Sequence, residues 1–340
     1  MTRKMFNRNK RGKIQLQELD VSVIAYIASR TYRRADDIHR RFPQRSPKKH
    51  AERLRHLFDH GYVDRPRAQE LDHLQLGRTH YIYALGNAGA SLLSERLGYN
   101  MPKSNWTQKN RLVQRPHLQH TLRIGDVADA VEFLPENQPH ILPISSSEIL
   151  AASPPRTLHD QHPWAWRART QDTNGTIRNL VTKPDYVFGL DHTQLRKRFY
   201  FWVECDRRTE PVVRTNNNQT SVIRKYVAYE AGFRANLQGK RYALGNIRFV
   251  TLTTSQQRID TMIDALRCLN LQDASMFLFA ESDALRNAPD LLQLDCRDGN
   301  NEHTTLLPNS SKENTYANKT RSATQTSTPA TEPTKFSELH

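Results

Sequence analysis

Two short apolar runs in this chain carry acids where buried strands rarely tolerate them. Residues 183–188 read Lys-Pro-Asp-Tyr-Val-Phe, and residues 199–206 read Phe-Tyr-Phe-Trp-Val-Glu-Cys-Asp. Aromatic and β-branched residues over so short a span indicate core strands. A carboxylate buried in such a strand is costly unless a cation or a hydrogen-bond donor meets it. Asp185, opening the first strand, and Glu204, closing the second, therefore need partners. Strand alternation puts Asp206 on the same face as Glu204. Carboxylates at neighbouring strand ends suit a divalent metal held against a phosphodiester, which names Asp185, Glu204 and Asp206 as candidate ligands. The alternative is a structural network in which Arg207, Arg208 or Arg214 neutralises the acids.

The charge balance bears on the partner. Lys and Arg number 50 against 35 Asp and Glu, for a formal net charge of +15 and a pI near 9.9. Such a surface favours a polyanion, here double-stranded DNA, because each neutralised phosphate releases condensed counterions. No apolar run approaches the ~20 residues that span a bilayer. The basic segment 1–13 is followed by no signal-like apolar core, so a cytoplasmic location without a membrane partner is expected. Cys205, Cys268 and Cys296 include no C-x-x-C pair, which argues against a zinc site or a disulfide framework. The sequence leaves the oligomeric state open.

The N-terminal part divides into a basic arm over 1–13, expected to be disordered without a partner, and a domain over 14–99. In that domain Asp20 marks a helix start, with Leu16, Leu19, Val23, Ile24 and Ile27 on one side. A short helix follows over 34–42. Ser46 as N-cap and Pro47 at the first helical position then begin a third helix, which runs to Asp59 and stops at Gly61. Its expected inner face is Ala51, Leu54, Leu57 and Phe58. Strands over 63–66 and 79–85 and a helix over 87–97 complete the unit. Three helices followed by a basic hairpin give the plan of a winged helix-turn-helix, whose third helix enters the major groove. The candidate DNA contacts are Arg45, Lys48, Lys49, Arg53 and His56 on or beside that helix, and Arg65, Arg67 and Arg78 in or beside the hairpin. Glu52 is the main acidic exception on the helix face.

Residues 100–116 read as a basic linker, 117–296 as a second domain, and 297–340 as a polar, disordered tail too poor in large apolar residues to order itself. The second domain opens with a helix from His117, in which His117 and His120 read as structural or phosphate-facing and, alternatively, as metal ligands. A strand is expected over 141–150, an irregular excursion or hairpin over the core at 151–181, the two acidic strands, a helix over 219–237, a strand over 247–253, a helix over 256–269 and a last strand over 276–280.

Helix, three strands, helix, strand resembles the PD-(D/E)XK nuclease-like fold, with Pro184-Asp185 opening one strand and Glu204 closing the next. The whole chain thus reads as a two-domain α+β or α/β protein, a winged helix followed by an αβββαβ core. The resemblance implies that Asp185 and Glu204 bind Mg²⁺ and that a lysine two residues beyond the Glu positions water. Here that position is Asp206. Lys225, early in the next helix, is the candidate replacement, with Lys183 second and Glu148 as a further oxygen donor.

The residues 51–62 (Ala-Glu-Arg-Leu-Arg-His-Leu-Phe-Asp-His-Gly-Tyr), 81–89, 117–120 and 203–210 (Val-Glu-Cys-Asp-Arg-Arg-Thr-Glu), with Arg224-Lys-Tyr226, resemble the replication-relaxation family of bacterial and plasmid-borne proteins. That resemblance implies DNA binding in replication, relaxation or transfer of mobile DNA, with replication or relaxase proteins as further partners. Two alternatives are a Mg²⁺-dependent endonuclease using Asp185, Glu204 and Lys225, and a transcriptional regulator with a degenerate nuclease-like domain.

Overall fold

Ser46 starts the central helix of the N-terminal unit: its hydroxyl accepts the Lys49 N–H, and Pro47 occupies the first turn, where no N–H is needed. The computed structural model of the protein describes residues 3–10, 12–70, 81–171, 177–207, 211–213, 221–269, 271 and 273–307. After the single turn α1 (Arg3–Phe6) come α2 (Glu18–Ala28), β1 (Arg33–Arg34), α3 (Ala35–Arg41) and α4 (Pro47–Asp59). β2 (Val63–Asp64), β3 (Ile82–Leu85) and α5 (Asn87–Leu97) complete the unit, and the sheet order is β1-β3-β2, antiparallel throughout. Val23, Ile24, Ile27, Ile38, Leu54, Leu57, Phe58 and Leu93 form its core.

Three expectations change here. The inner face of α4 begins at His50, 2% exposed, whereas Ala51 is exposed. Positions 50, 54, 57 and 58 follow the i, i+4, i+7, i+8 stripe of a helix, and 51 lies about 100° away from the first of them. The basic arm is not left free: the Asn9 N–H donates to Asp59 Oδ1 at 2.9 Å, Arg55 donates to the Asn7 carbonyl at 2.8 Å, and Arg8 lies 3.5 Å from Asp64. The 100–116 segment holds a helix, α6 (Trp106–Leu112), whose buried Asn110 donates to the Leu85 carbonyl at 2.9 Å.

In the second unit α7 (Arg115–Glu132) precedes a seven-stranded sheet of order β12-β11-β10-β9-β8-β7-β4. β4 (Ile141–Ile144), β7 (Tyr186–His192) and β8 (Lys197–Cys205) are antiparallel neighbours. β9 (Arg248–Thr253) runs parallel to β8 and to β10 (Phe277–Glu281), each parallel step being carried over by helices. The first strand is shorter than expected. It stops at Ile144 because Ser145 and Glu148 form a capping box that starts α8 (Ser146–Ala151).

The excursion before β7 is a two-stranded ribbon, β5 (Trp166–Gln171) with β6 (Ile177–Thr182). It lies on α9 (Val222–Arg234), where Trp166 donates its indole N–H to the Ala228 carbonyl at 2.9 Å. A Cβ added to Gly232 would stand 2.0 Å from that indole nitrogen, so only glycine fits there. Trp202, Tyr226, Tyr229 and Phe249 pack with α9, α10 (Leu237–Tyr242) and α11 (Gln256–Arg267) on one side of the sheet. Phe188, Phe201, Val203 and Leu278 pack with α7 and α12 (Ser282–Asn287) on the other. Two short strands, β11 (Cys296–Asp298) and β12 (His303–Thr304), with buried Leu306, carry this unit past residue 296. The expected tail therefore shrinks, and 308–340 lie outside the described residues. No helix among the described residues is long and apolar enough to cross a membrane.

The two units meet along α7. Leu118 and Leu122 pack against Tyr32, Ile82 and Ala84. Around them Arg33 pairs with Asp129, Arg34 with Asp126 at 2.6 Å, and Arg286 with Asp36 at 2.8 Å and Asp37 at 3.1 Å. Burial drives the Arg33 guanidinium down to a pKa of about 10. Removing Asp129 would strand that cation in a dry contact, so Asp129→Ala should cost about 3–5 kcal/mol of stability, read from urea unfolding. An Arg33→Met/Asp129→Leu double variant should recover most of the loss; equal instability of both variants would show that the ion pair is not what holds the contact.

Candidate functional site

Asp185 and Glu204 do come together. The Asp185 N–H donates to the Val203 carbonyl at 2.9 Å, which places Asp185 at the mouth of the β7–β8 ladder beside Glu204. Glu204 shares the Trp202 face of β8 and points toward α9, while Phe201, Val203 and Cys205 face the other core. Each carboxylate oxygen already has a protein donor. Asp185 accepts from the Cys205 N–H at 2.8 Å and from His120 Nε2 at 3.1 Å. Glu204 accepts from Lys225 Nζ at 3.0 Å and, through a short bond, from the Tyr229 hydroxyl.

Burial pushes Glu204 up to about 7; Lys225 draws it down, Asp185 adds to the rise, and Tyr229 again lowers it. Tyr229, buried beside that carboxylate, is pushed well above the ordinary tyrosine range. Lys225 stands against Glu204, whereas Lys183 is exposed. Asp206 does not join them. It follows the last residue of β8 and leans toward β9, where Thr253 Oγ1 donates at 2.7 Å and Arg258 at 2.7 and 2.9 Å. Glu148 is likewise spent on the Ser145 cap, at 2.7 Å from the Ser145 N–H.

Of the arginines considered as alternatives, Arg207 donates to the Pro116 carbonyl, and Arg208 and Arg214 lie outside the described residues. Among the described residues, Asp206 pairs with Arg258, from the first turn of α11. The residues as arranged do not fit a Mg²⁺ centre. A hard cation needs several oxygen ligands; Asp206 and Glu148 are turned to other partners, and the oxygens of Asp185 and Glu204 face N–H, O–H and ammonium donors. Among the described residues no group of three or more His, Cys, Asp or Glu side chains is placed to hold a metal ion.

The basic face of α4 is separate from this cluster. Lys48, Lys49, Glu52 and His56 are exposed, and Arg67 is exposed on a turn after β2. Arg45 and Arg53 are drawn inward to Asp20. Arg65 departs from expectation: it is 4% exposed, with its guanidinium 4.7 Å from the Phe58 ring, 4.2 Å from Tyr81 and 5.1 Å from Tyr83. It donates to the Tyr83 hydroxyl at 2.8 Å and is a structural cation in an aromatic box. Arg78 lies outside the described residues.

Over residues 22–246 the sequence matches the profile of the replication-relaxation family. The chain belongs to that family. No curated protein and no solved structure matches it. The span shared with the replication-relaxation family takes in α4, His120, Asp185, Glu204, Asp206, Lys225 and Tyr229, and stops before Arg258.

Three contributors escaped the sequence reading. His120 was read without its target, and Tyr229 sits one helical turn beyond Lys225, a spacing that could have found it. Nothing local marks Arg258.

The raised pKa of Glu204 has a defined sign. The unfolded chain releases this proton near 4.5 and the folded one near 7, so the protonated form favours folding. This contribution is full below about 4.5 and is lost as pH rises through about 7. Thermal unfolding at pH 5 and pH 8 should show a smaller fall in stability for Glu204→Gln than for the unaltered protein. An identical fall in both would place the titrating group elsewhere.

Proposed function

We propose that this protein binds double-stranded DNA through the exposed face of α4 and acts in replication or relaxation of plasmid or other mobile DNA. The observation that carries the proposal is the placement of that face. Lys48, Lys49 and His56 are exposed on a helix whose other side, Leu54, Leu57 and Phe58, is core. The contacts with the second unit are made by α2, β1, α3, β3 and the turn at Arg67–Gln69, which leaves the basic side of α4 uncovered. The order α2-β1-α3-α4-β2-β3, with β3 between its two partners, supports a winged helix. Family membership and the +15 charge favour the same partner.

With the short helices and the β5–β6 ribbon set aside as insertions, the order α7-β4-β7-β8-α9-β9-α11-β10 supports reading the second unit as PD-(D/E)XK-like. Its carboxylates are satisfied by His120, Lys225 and Tyr229, which favours a DNA-associated or protein-docking role, with replication or relaxase proteins as partners, over metal-dependent hydrolysis.

Duplex binding followed by fluorescence anisotropy should weaken steeply with salt, the slope being about −0.9 per phosphate neutralised. Lys48→Ala and Lys49→Ala should each make it shallower by about 1 where the lysine meets a phosphate. Binding that ignores salt, or fails on every duplex tried, refutes the proposal. Supercoiled plasmid incubated with the protein and Mg²⁺ or Mn²⁺ should remain supercoiled. Nicking that disappears in Asp185→Asn would replace this reading with the endonuclease.

A further inference from the structure

Asp20 has no exposed surface, yet its carboxylate serves the DNA face. Its Oδ1 accepts from Arg45 Nη1 at 3.1 Å and from Arg53 Nε at 3.0 Å. Its Oδ2 accepts from Arg53 Nη2 at 2.5 Å and from the Gln17 N–H at 2.8 Å, the latter capping α2. Arg53 Nη2 also reaches the Gln15 carbonyl at 2.7 Å, and Arg45 Nη2 donates to the Gln17 side-chain oxygen. Both guanidinium groups are therefore held along one edge. Arg53 Nη1 and Arg45 Nε have no partner among the described residues. The two side chains are 16% and 21% exposed, neither free in solvent nor sealed in. With Gln17, Lys49, Glu52 and His56 they line a hollow of about 660 Å³ beside the first half of α4.

We infer that Asp20 is a positioning residue that presets Arg45 and Arg53 as a paired clamp for a DNA phosphate. This rests on the DNA-binding reading of α4. A guanidinium fixed before binding has less rotamer freedom to lose when it grips an anion. Its planar fork can satisfy a carboxylate with one edge and a phosphate with the other, which an ammonium cannot do. The N-terminus of a 13-residue helix adds favourable potential at the same place. Glu52, the acid on the rim of the hollow, confines the anion to the arginine side.

The test separates positioning from plain electrostatics, because the two predict opposite signs. Removing a negative charge beside a DNA face should tighten binding if charge alone matters. Asp20→Asn in the full chain, which keeps an oxygen for the Gln17 N–H, is expected instead to weaken duplex binding by about tenfold, with a salt slope shallower by about 1 to 2. A folded Asp20→Asn variant that binds as tightly as the unaltered protein, or more tightly, with the same slope overturns the inference and leaves Asp20 a helix cap. Should that variant not fold, the charge-neutral Arg45→Lys/Arg53→Lys protein decides. Weaker binding at unchanged net charge is expected, and unchanged affinity and slope overturn the clamp. If the unaltered protein binds no duplex at all, the DNA-binding reading itself fails, and that is seen before any variant is compared.

Discussion

One helix, α7, fixes both halves of the molecule, and the desolvated ion pairs along it are the constraint on which the remaining geometry depends. Asp126 and Asp129 take Arg34 and Arg33 from the N-terminal unit, while Leu118 and Leu122 close the apolar part of the same contact. One to three turns earlier, His120 reaches Asp185 and Arg123 donates to the Asp206 carbonyl at 2.9 Å. A helix is stiff over this length, so the placement of the unit that carries α4 and that of the carboxylate cluster are set by a single element. Buried charges of this kind add little net stability but punish any arrangement that leaves one unpaired. They therefore specify how the units dock more than how tightly.

The same logic accounts for the acidic strand ends. Three carboxylates sit at or just beyond the strand ends, Glu204 buried and Asp185 and Asp206 half-buried, and each meets a partner from a different element: His120 from α7 for Asp185, Lys225 from α9 for Glu204, Arg258 from α11 for Asp206. The cluster stitches β7 and β8 to the helices on both sides of the sheet. Glu204, with a pKa pushed up to about 7, shows that its compensation is incomplete, since burial outweighs the nearby ammonium and hydroxyl. A group poised near neutrality responds to small changes in its surroundings, whether from a partner or from pH. At the other end of the molecule Asp20 plays a comparable part, with two arginines and a backbone N–H holding it below the usual carboxylate range against the effect of burial.

Much of the architecture was legible because it rests on local chemistry. Ser46-Pro47 started α4, Gly61, at φ +82°, ended the turn after it, and the apolar stripes of α7 and α11 and the aromatic runs of β7 and β8 declared themselves by period. Local chemistry was also present where the reading went wrong. The Ser145–Glu148 capping box was a short-range signal that ended β4 early and withdrew Glu148 from the carboxylate site.

Other outcomes could not be read in one dimension. Arg65 and Arg67 are the same residue two positions apart, yet one is buried under Phe58, Tyr81 and Tyr83 while the other is exposed, because the aromatic rings arrive from α4 and β3. Asp206 looked equivalent to Glu204 by alternation, but its partner stands 52 residues away on α11. By itself the sequence determined most of the long helices and core strands, the acidic strand ends and the excess of positive charge, since those follow from composition and short-range periodicity. Only the tertiary structure decided which cation meets which acid and which basic side chains remain uncovered, because charge pairing and burial depend on distances that chain order does not encode.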